Sequence, residues 1–483
     1  MRLSSLLFLG CGGIATLQSA EKPNFVFILV DDLAFDALES SGRYPFLETP
    51  NINRLQREGA SFENFFCTMS LSSPSRACFL TGVYPHIHGV TQNDRAVDPN
   101  WKKYKPYPQI LQETGYETAM VGKMHSAELW GKEQVRPGFD YYLGFRGQGE
   151  YFNPLLNENG IEFRAEGYMT DLLTTYAEQW LQKRPQKNKK PFSLCLWHKA
   201  VHMPFSPSPK HKNLFIHDSL PLPPRGNGVE TYDGKPEWQR YKKTFDKISD
   251  RDPQWDPKFK QPIDILETLL SVDESIGKIL SLLTEMGELD NTVIVFSSDN
   301  GYFMGEHGYW DKRISYEESM RIPFIIRYPK LITPNLKISE MCLNIDLAPT
   351  FLDWAGASIP DYVQGKSMSP LFNRKKSTTW RKSFLFEYYV DDVYPYAGPT
   401  QVAVRTNRYK LIDCDLTNDI DELYDLKNDP GEMTNLIQDK KYNSIQKKLR
   451  RELERLKKEF AYTPDRDHWL RQVAPKWQRG PKN

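Results

Sequence analysis

The sequence predicts an α/β fold: a large mixed, mostly parallel sheet sandwiched by helices, followed by a smaller C-terminal α+β subdomain. Three observations carry this expectation. First, four runs are continuously apolar: "NFVFILVDD" from Asn24, "PFSLCLWH" at 191–198, "NTVIVFSSDNG" at 291–301 and "IPFIIRYP" at 322–329. A strand covered on one face alternates; an unbroken run marks a strand buried on both. Second, helical patterns fall between these runs, "DLLTTYAEQWLQK" from Asp171 and "DILETLLSVDESIGKILSLLTEMG" from Asp264. Alternation of strand and helix argues for helices on both faces of one sheet. Third, after about residue 375 the pattern changes to short alternating strands, "FLFEYYV" and "QVAVRTNRYKLIDC", and then a charged helix, "NSIQKKLRRELERLKKEF".

Taken in order, the first twenty residues, "MRLSSLLFLGCGGIATLQSA", place Arg2 before an apolar run too short to span a bilayer. Residues 1–20 therefore read as a secretory signal, and the protein as secreted or periplasmic. Cys11 follows "LFLG", with Phe8 where lipidation sites usually prefer leucine, so lipid anchoring through Cys11 stays open. No later segment is apolar enough to cross a membrane. The main domain is expected over 21–375 and the C-terminal subdomain over 376–483. Between about 203 and 262 the chain is rich in Pro, Lys and Asp, which suits a surface excursion forming one wall of a cleft. In the last helix Ile445, Leu449, Leu453, Leu456 and Phe460 keep helical spacing, so it should pack on the body through one face.

Composition excludes some partners. Lys plus Arg (63) nearly cancel Asp plus Glu (62), leaving a net charge of +1 and no global field toward nucleic acid. Beyond residue 20 there are five cysteines, Cys67, Cys78, Cys195, Cys342 and Cys414, with no close C-x-x-C pair. That argues against a zinc site or a disulfide scaffold, with one disulfide left open.

Polar groups of chemical interest gather where the buried runs end, and in open α/β sheets ligands collect at the carboxyl ends of strands. Asp31 and Asp32 close the first run, Asp299 and Asn300 another. Either pair alone would be read as capping a following turn. Two such pairs suit a hard divalent cation, Ca²⁺ or Mg²⁺, and no histidine adjoins either pair in sequence, which disfavours zinc. Scattered cations follow: Arg76, Lys123 and His125 in "VGKMH", His202 in "HKAVHMP" and Lys312 in "GYWDKR". A tetrahedral oxyanion needs several positive donors and a departing alkoxide needs an acid. Each taken singly reads as a surface lysine or a core histidine.

The stretch Ser72-Ser73-Pro74-Ser75-Arg76, closed by Thr81-Gly82, resembles the signature of the type I sulfatases of the alkaline phosphatase superfamily. In that signature Cys or Ser, x, Pro, x, Arg precede Thr-Gly. The resemblance extends through "KPNFVFILVDD", "GYETAMVGKMH", "HKAVHMPF", "VIVFSSDNG", "GYWDKRISYEESMRIPFIIRYP" and "DELYDLKNDPGEMTNL", in order along the chain. It implies an alkaline-phosphatase-like fold and metal ligands at Asp31, Asp32, Ser72, Asp299 and Asn300. It also implies that Ser72, not Cys78, is oxidised to formylglycine, as in the serine branch matured by an anaerobic radical-SAM enzyme. The mechanism so implied has a hydrated aldehyde attacking sulfur, with Arg76, Lys123 and Lys312 neutralising the sulfuryl oxygens. His202, with Lys312, would protonate the leaving oxygen, and His125 would accept the proton that frees sulfate. Val201 departs from the proline that many relatives carry before this histidine.

For substrate, a sulfated carbohydrate is expected, from a glycosaminoglycan, mucin or other polysaccharide. "GQGEYFNPLLNENGIEFRAEGYMTDLLTTYAEQWL" is similar to the matching stretch of sulfatases that act on 6-O-sulfated N-acetylglucosamine. Asn93, Asp94, His307 and Trp310 lie near motif residues and are candidates for binding sugar hydroxyls. Two other readings stay open: a phosphatase or phosphodiesterase of the same superfamily using unmodified Ser72, and a non-catalytic glycan-binding protein.

Overall fold

A computed structural model describes residues 21–93, 100–125, 138–185, 189–218, 220–221, 232–241, 257–372, 380–389, 399–414 and 419–463. The expected signal segment with Cys11, the candidate Asp94 and the expected boundary at 375/376 lie outside the described residues. Ten strands form one sheet. In spatial order they are Leu336–Ile338, Ala60–Phe62, Phe324–Arg327, Thr292–Ser298, Asn24–Val30, Phe192–Trp197, Glu117–Gly122, Tyr141–Gly144, Leu155–Glu158 and Ile161–Arg164. The five from Thr292–Ser298 to Tyr141–Gly144 run parallel. Phe324–Arg327 pairs antiparallel to both neighbours, and the last two strands also run antiparallel, so the sheet is mixed and mostly parallel as expected.

The apolar run of the first strand is explained by its two faces. Phe25, Phe27 and Leu29 pack to one side, where Phe27 lies 5.1 Å from Phe79 and Phe25 stacks on Phe351 at 4.5 Å. Val26, Ile28 and Val30 pack to the other, against Leu173 and Ala177 of the helix Met169–Lys183 and Leu266 and Leu269 of the helix Pro257–Glu285. Each large side chain so buried contributes roughly 1.5–3 kcal/mol. The long helix starts at Pro257, earlier than the Asp264 expected from the apolar pattern. Proline fits the first helical turn, where its missing N–H has no partner to lose. It follows that the excursion is shorter at its end than the composition suggested.

The C-terminal strands Ser383–Tyr388, Gln401–Thr406, Tyr409–Asp413 and Glu422–Asp425 form a separate antiparallel sheet. The helix Asn443–Glu459 buries Leu449, Leu453 and Leu456, and these belong to the same apolar cluster as Phe27 and Phe79. The small sheet also braces the large one. Lys410 Nζ lies 2.9 Å from Glu317 and 2.7 Å from Glu432, and Arg405 lies 3.1 Å from Glu317. Glu317 opens the short helix Glu317–Met320, whose Ser319 carbonyl accepts from the Gly301 N–H and from the Ser70 hydroxyl, each at 2.8 Å. Those two loops carry the end of the Thr292–Ser298 strand and the approach to Ser72. The five cysteines among the described residues are free and buried, so no disulfide joins them. No described helix is long and apolar enough to cross a membrane.

A second clamp is pH-sensitive. His86 Nδ1 lies 2.7 Å from Glu387 Oε2 and its Nε2 lies 2.8 Å from the Phe460 carbonyl at the end of the last helix. Both ring nitrogens face acceptors, and Tyr84, Tyr389 and Tyr462 enclose the pair. Burial would lower this imidazole, but the Glu387 charge, the Glu387 hydrogen bond and the Phe460 carbonyl together outweigh it and raise the pKa above 6.5. A raised folded pKa contributes stability that is complete below the unfolded value and lost as pH rises through the folded one. The thermal midpoint should therefore fall as pH rises above about 6.5, and His86→Gln should flatten that part of the profile. An unchanged slope in the variant would refute the clamp.

Candidate active site

The site is assembled at the carboxyl ends of the parallel strands. Val30 and Ser298 are register partners on neighbouring strands, so Asp31-Asp32 and Asp299-Asn300 leave the sheet side by side. The Asp32 N–H donates to Asp299 Oδ1 at 3.2 Å, and Asn300 Nδ2 donates to Asp32 Oδ1 at 2.7 Å. Asp32 holds φ at +63°, a left-handed conformation that costs an L-residue roughly 1–2 kcal/mol.

Ser72 is the first residue of the helix Ser72–Thr81, which points its N-terminus at this acidic pair. The Ser72 hydroxyl donates to Asp31 Oδ1 at 3.1 Å. Leu71 gives the helix no side-chain cap; the Asn93 Oδ1 instead accepts the Ser73 N–H at 2.9 Å. Arg76 sits one turn after Ser72, on the same helical face. Its Nε and Nη2 each lie 2.9 Å from Asp299 Oδ2, its Nη1 donates to the Lys123 carbonyl, and its guanidinium lies 5.4 Å from the Trp197 ring centre. Ser75 donates to the Asp299 carbonyl and accepts from Asn344 Nδ2 at 2.9 Å, fixing the helix to the end of the Thr292–Ser298 strand.

The strand Glu117–Gly122, separated from Asn24–Val30 by Phe192–Trp197, delivers Lys123 and His125. Gly122 has φ of +121°, and a Cβ there would fall 1.9 Å from the Trp197 carbonyl oxygen, so only glycine lets the chain turn inward. Lys123 Nζ contacts Asp31 Oδ2 and Gln148 Oε1. Lys312 Nζ contacts Asp32 Oδ1. His202 Nε2 lies 3.5 Å from Asp32 Oδ2, while its Nδ1 lies 2.7 Å from the Met203 carbonyl. The Val201 departure thus leaves the histidine in the cluster. His125 is buried, and its Nδ1 has no hydrogen-bond partner.

The electrostatics are those of a neutral, tightly packed cluster: Asp31, Asp32 and Asp299 against Arg76, Lys123 and Lys312. Burial alone would raise Asp31, but the Lys123, Arg76 and Lys312 charges hold it well below the usual range. Burial raises Asp32, opposed by Lys312 and helped by the Asp31 charge. Burial and Asp31 push Asp299 up to about 6. Burial lowers Lys123, His125 and His202, so both imidazoles rest neutral. Burial, aided by Lys123, also lowers Lys199 to about 7.

A hard divalent cation fits these residues. Asp31, Asp32 and Asp299 supply carboxylate oxygens, and the Asn300 Oδ1 is buried without a hydrogen-bond partner, as an unused ligand atom would be. The fold adds what sequence adjacency missed: Asp31, Asp32 and His202 offer ligand atoms all within 4.8 Å of one another. Oxygen donors still dominate the set, and the His202 Nε2 lies beside a carboxylate.

The other sequence candidates have structural surroundings. His307 is 1% exposed, stacks on Tyr316 at 4.8 Å, accepts the Tyr232 hydroxyl at its carbonyl and has Nδ1 3.4 Å from Lys235. Trp310 is 4% exposed in the core. Asn93 uses its carbonyl on the helix. Cys78 lies roughly 240° round the helix from Ser72. It accepts from Thr68 at 3.3 Å and lies 3.3 Å from His88, and burial raises its thiol well above the usual value. Three neighbours of the cluster were not singled out in the sequence: Gln148, Tyr151 and Lys199. A signal for the first existed, because Gly147 and Gly149 both take positive φ and turn Gln148 inward.

A mostly parallel sheet with a small antiparallel appendage and a cluster of acids and bases at its strand ends defines a hydrolase of the alkaline-phosphatase-like class. The comparisons carry this to a family. The sulfatase family profile matches residues 23–357, and a profile for the C-terminal part of N-sulphoglucosamine sulphohydrolase matches 305–459. The chain belongs to the sulfatase family and is a sulfuric ester hydrolase. It is 34% identical to an N-acetylglucosamine-6-O-sulfatase of Bacteroides thetaiotaomicron over 92% of this chain and 88% of the relative. The human N-acetylglucosamine-6-sulfatase is 29% identical over 88% of this chain and 83% of its own. Among solved structures, one in complex with its substrate D-glucosamine-2-N,6-O-disulfate matches with a TM-score of 0.83 and 32% identity. That match covers 92% of this chain and all of the other.

Proposed function

We propose that this sulfatase removes sulfate from carbohydrate, with 6-O-sulfated N-acetylglucosamine as the preferred unit. The observation that carries the reading is near full-length similarity to an N-acetylglucosamine-6-O-sulfatase, together with likeness to a structure holding a 6-O-sulfated glucosamine. The protein is exported through residues 1–20 to the periplasm or beyond. Ser72 is converted to formylglycine by a radical-SAM maturase, and residues 21–375 form the catalytic unit.

Asp31, Asp32, Asp299, Asn300 and residue 72 would hold Ca²⁺ or Mg²⁺, which would supply Lewis acidity toward the sulfate oxygens. Residue 72 as formylglycine would supply, once hydrated, one hydroxyl as nucleophile toward sulfur and a second for release of sulfate, an exit that plain serine lacks. The chain's own groups do the rest. Arg76, Lys123 and Lys312, all buried, neutralise the three sulfuryl oxygens, and charges placed in advance act more strongly away from bulk solvent. An arriving anionic ester opposes the burial that keeps His202 neutral, so His202, with Lys312, can hold the proton that the leaving sugar oxygen needs. His125 is neutral and suited to accept a proton from the group at residue 72.

A panel of defined sulfated mono- and disaccharides tests the substrate. Release is expected from 6-O-sulfated N-acetylglucosamine and N,6-O-disulfated glucosamine, and not from sugars sulfated only on other hydroxyls. Hydrolysis of phosphodiesters in preference to every sulfated sugar, or release only from other positions, would overturn the reading.

A further inference from the structure

We infer that Tyr151 and Lys199 are positioning residues that clamp the His202 loop and so fix where its imidazole meets the leaving oxygen. The inference rests on the reading of His202 as the acid.

The loop carrying His202 is held at its backbone from two sides. The Tyr151 hydroxyl donates to the His202 carbonyl at 2.7 Å, and the Lys199 ammonium donates to the Met203 carbonyl at 3.2 Å. That same Met203 oxygen accepts from His202 Nδ1 at 2.7 Å. The Met203 carbonyl therefore sets the ring's tautomer and rotation, leaving Nε2 toward Asp32 and the cluster. The two clamps also touch each other: Lys199 Nζ lies 4.6 Å from the centre of the Tyr151 ring.

Their burial marks them as more than loop packing. Lys199 is fully buried and Tyr151 is 4% exposed. Among the described residues no carboxylate lies within ion-pair distance of Lys199. Burying an ammonium without such a partner is costly; among the described residues the Met203 carbonyl and the Tyr151 ring face receive it, with Asp31 and Asp32 attracting it from farther off. The support continues outward. Tyr168 stacks on Tyr151 at 5.8 Å and 17°, and its hydroxyl donates to the Ser206 carbonyl at 3.0 Å, four residues beyond His202. Inward, the Val201 N–H donates to the Asp31 carbonyl at 2.9 Å. The loop thus spans from the metal-strand aspartate to an aromatic pair on the segment after Gln148. Both clamps hold whether or not the lysine is charged, since a neutral amine still donates.

An acid is needed most when the leaving group is poor. A sugar alkoxide requires protonation; an activated aryl oxide leaves without it. The test is steady-state kinetics of Tyr151→Phe, Lys199→Met and the double variant on a 6-O-sulfated sugar and on 4-nitrophenyl sulfate, with His202→Ala as reference. Tyr151→Phe removes a single oxygen, so it keeps the packing if Lys199→Met fails to fold. Each single variant should lose about tenfold to a hundredfold in kcat on the sugar sulfate. On the aryl sulfate each should change less than about threefold, with KM nearly constant on both. The double variant should lose less than the product of the singles, because both residues hold one loop. If His202→Ala slows both substrates equally, the acid assignment itself fails. If His202→Ala is selective for the sugar sulfate while the clamp variants slow both substrates equally, or neither, the positioning role is refuted.

Discussion

Ser72→Ala should abolish sulfate release, with a loss on the order of 10⁴-fold or more, while Cys78→Ala leaves turnover within about threefold of the parent. The two residues share one ten-residue helix, which also carries Ser73, Ser75 and Thr81. Position decides between them. Ser72 stands at the N-terminus, its hydroxyl 3.1 Å from Asp31 and one turn from Arg76. Cys78 faces the core with Thr68 and His88, its thiol held protonated by burial, whereas a reactive cysteine needs an electropositive, partly open setting. Removing one buried sulfur should cost about 1–2 kcal/mol of stability. Kinetics with thermal unfolding on both variants distinguishes the roles. The reverse pattern would move the nucleophile to Cys78.

The second large effect concerns the cation. Chelation should extinguish activity and lower the unfolding temperature, and Ca²⁺ or Mg²⁺ should restore both. Three buried carboxylates meet at the ends of two strands, and burial already raises Asp32 and Asp299. Lys123 and Lys312 relieve only part of that cost, and a ligand that binds the folded state at a hundred times its Kd adds about 2.7 kcal/mol. Asp32→Asn should remove the thermal response to metal as well as activity, because it deletes a ligand charge and weakens the Lys312 contact. Restoration by Zn²⁺ but not by Ca²⁺ or Mg²⁺ would contradict the oxygen-donor reading and give His202 a ligand role.

The strand ends were readable in sequence for a physical reason. A strand buried on both faces is unbroken in hydrophobicity, so the Asp31-Asp32 and Asp299-Asn300 pairs stand out where the run stops. Strand direction was not readable. "IPFIIRYP" looks like its parallel neighbours, because apolar content carries no sign of chain direction, yet Phe324–Arg327 runs antiparallel. The start of the long helix was missed because Pro257 and Pro262 suggest loop, although proline at a helix start is compatible with the helix. His202 beside Asp32, and Tyr151 and Lys199 around the His202 loop, arise from tertiary approach of separate segments. Adjacency in sequence could not report them. Asn93 and His307 were visible as polar residues near motifs; what each touches emerges only with the fold.

The central claim is that residue 72 works as formylglycine. Mass spectrometry of the peptide containing residues 70–76, from protein co-produced with a serine-type maturase, tests it most directly when paired with turnover of the same sample. A Ser72 peptide lighter by two hydrogens, in proportion to activity across preparations, is the expected result. Full turnover by protein whose Ser72 is entirely unmodified would contradict it.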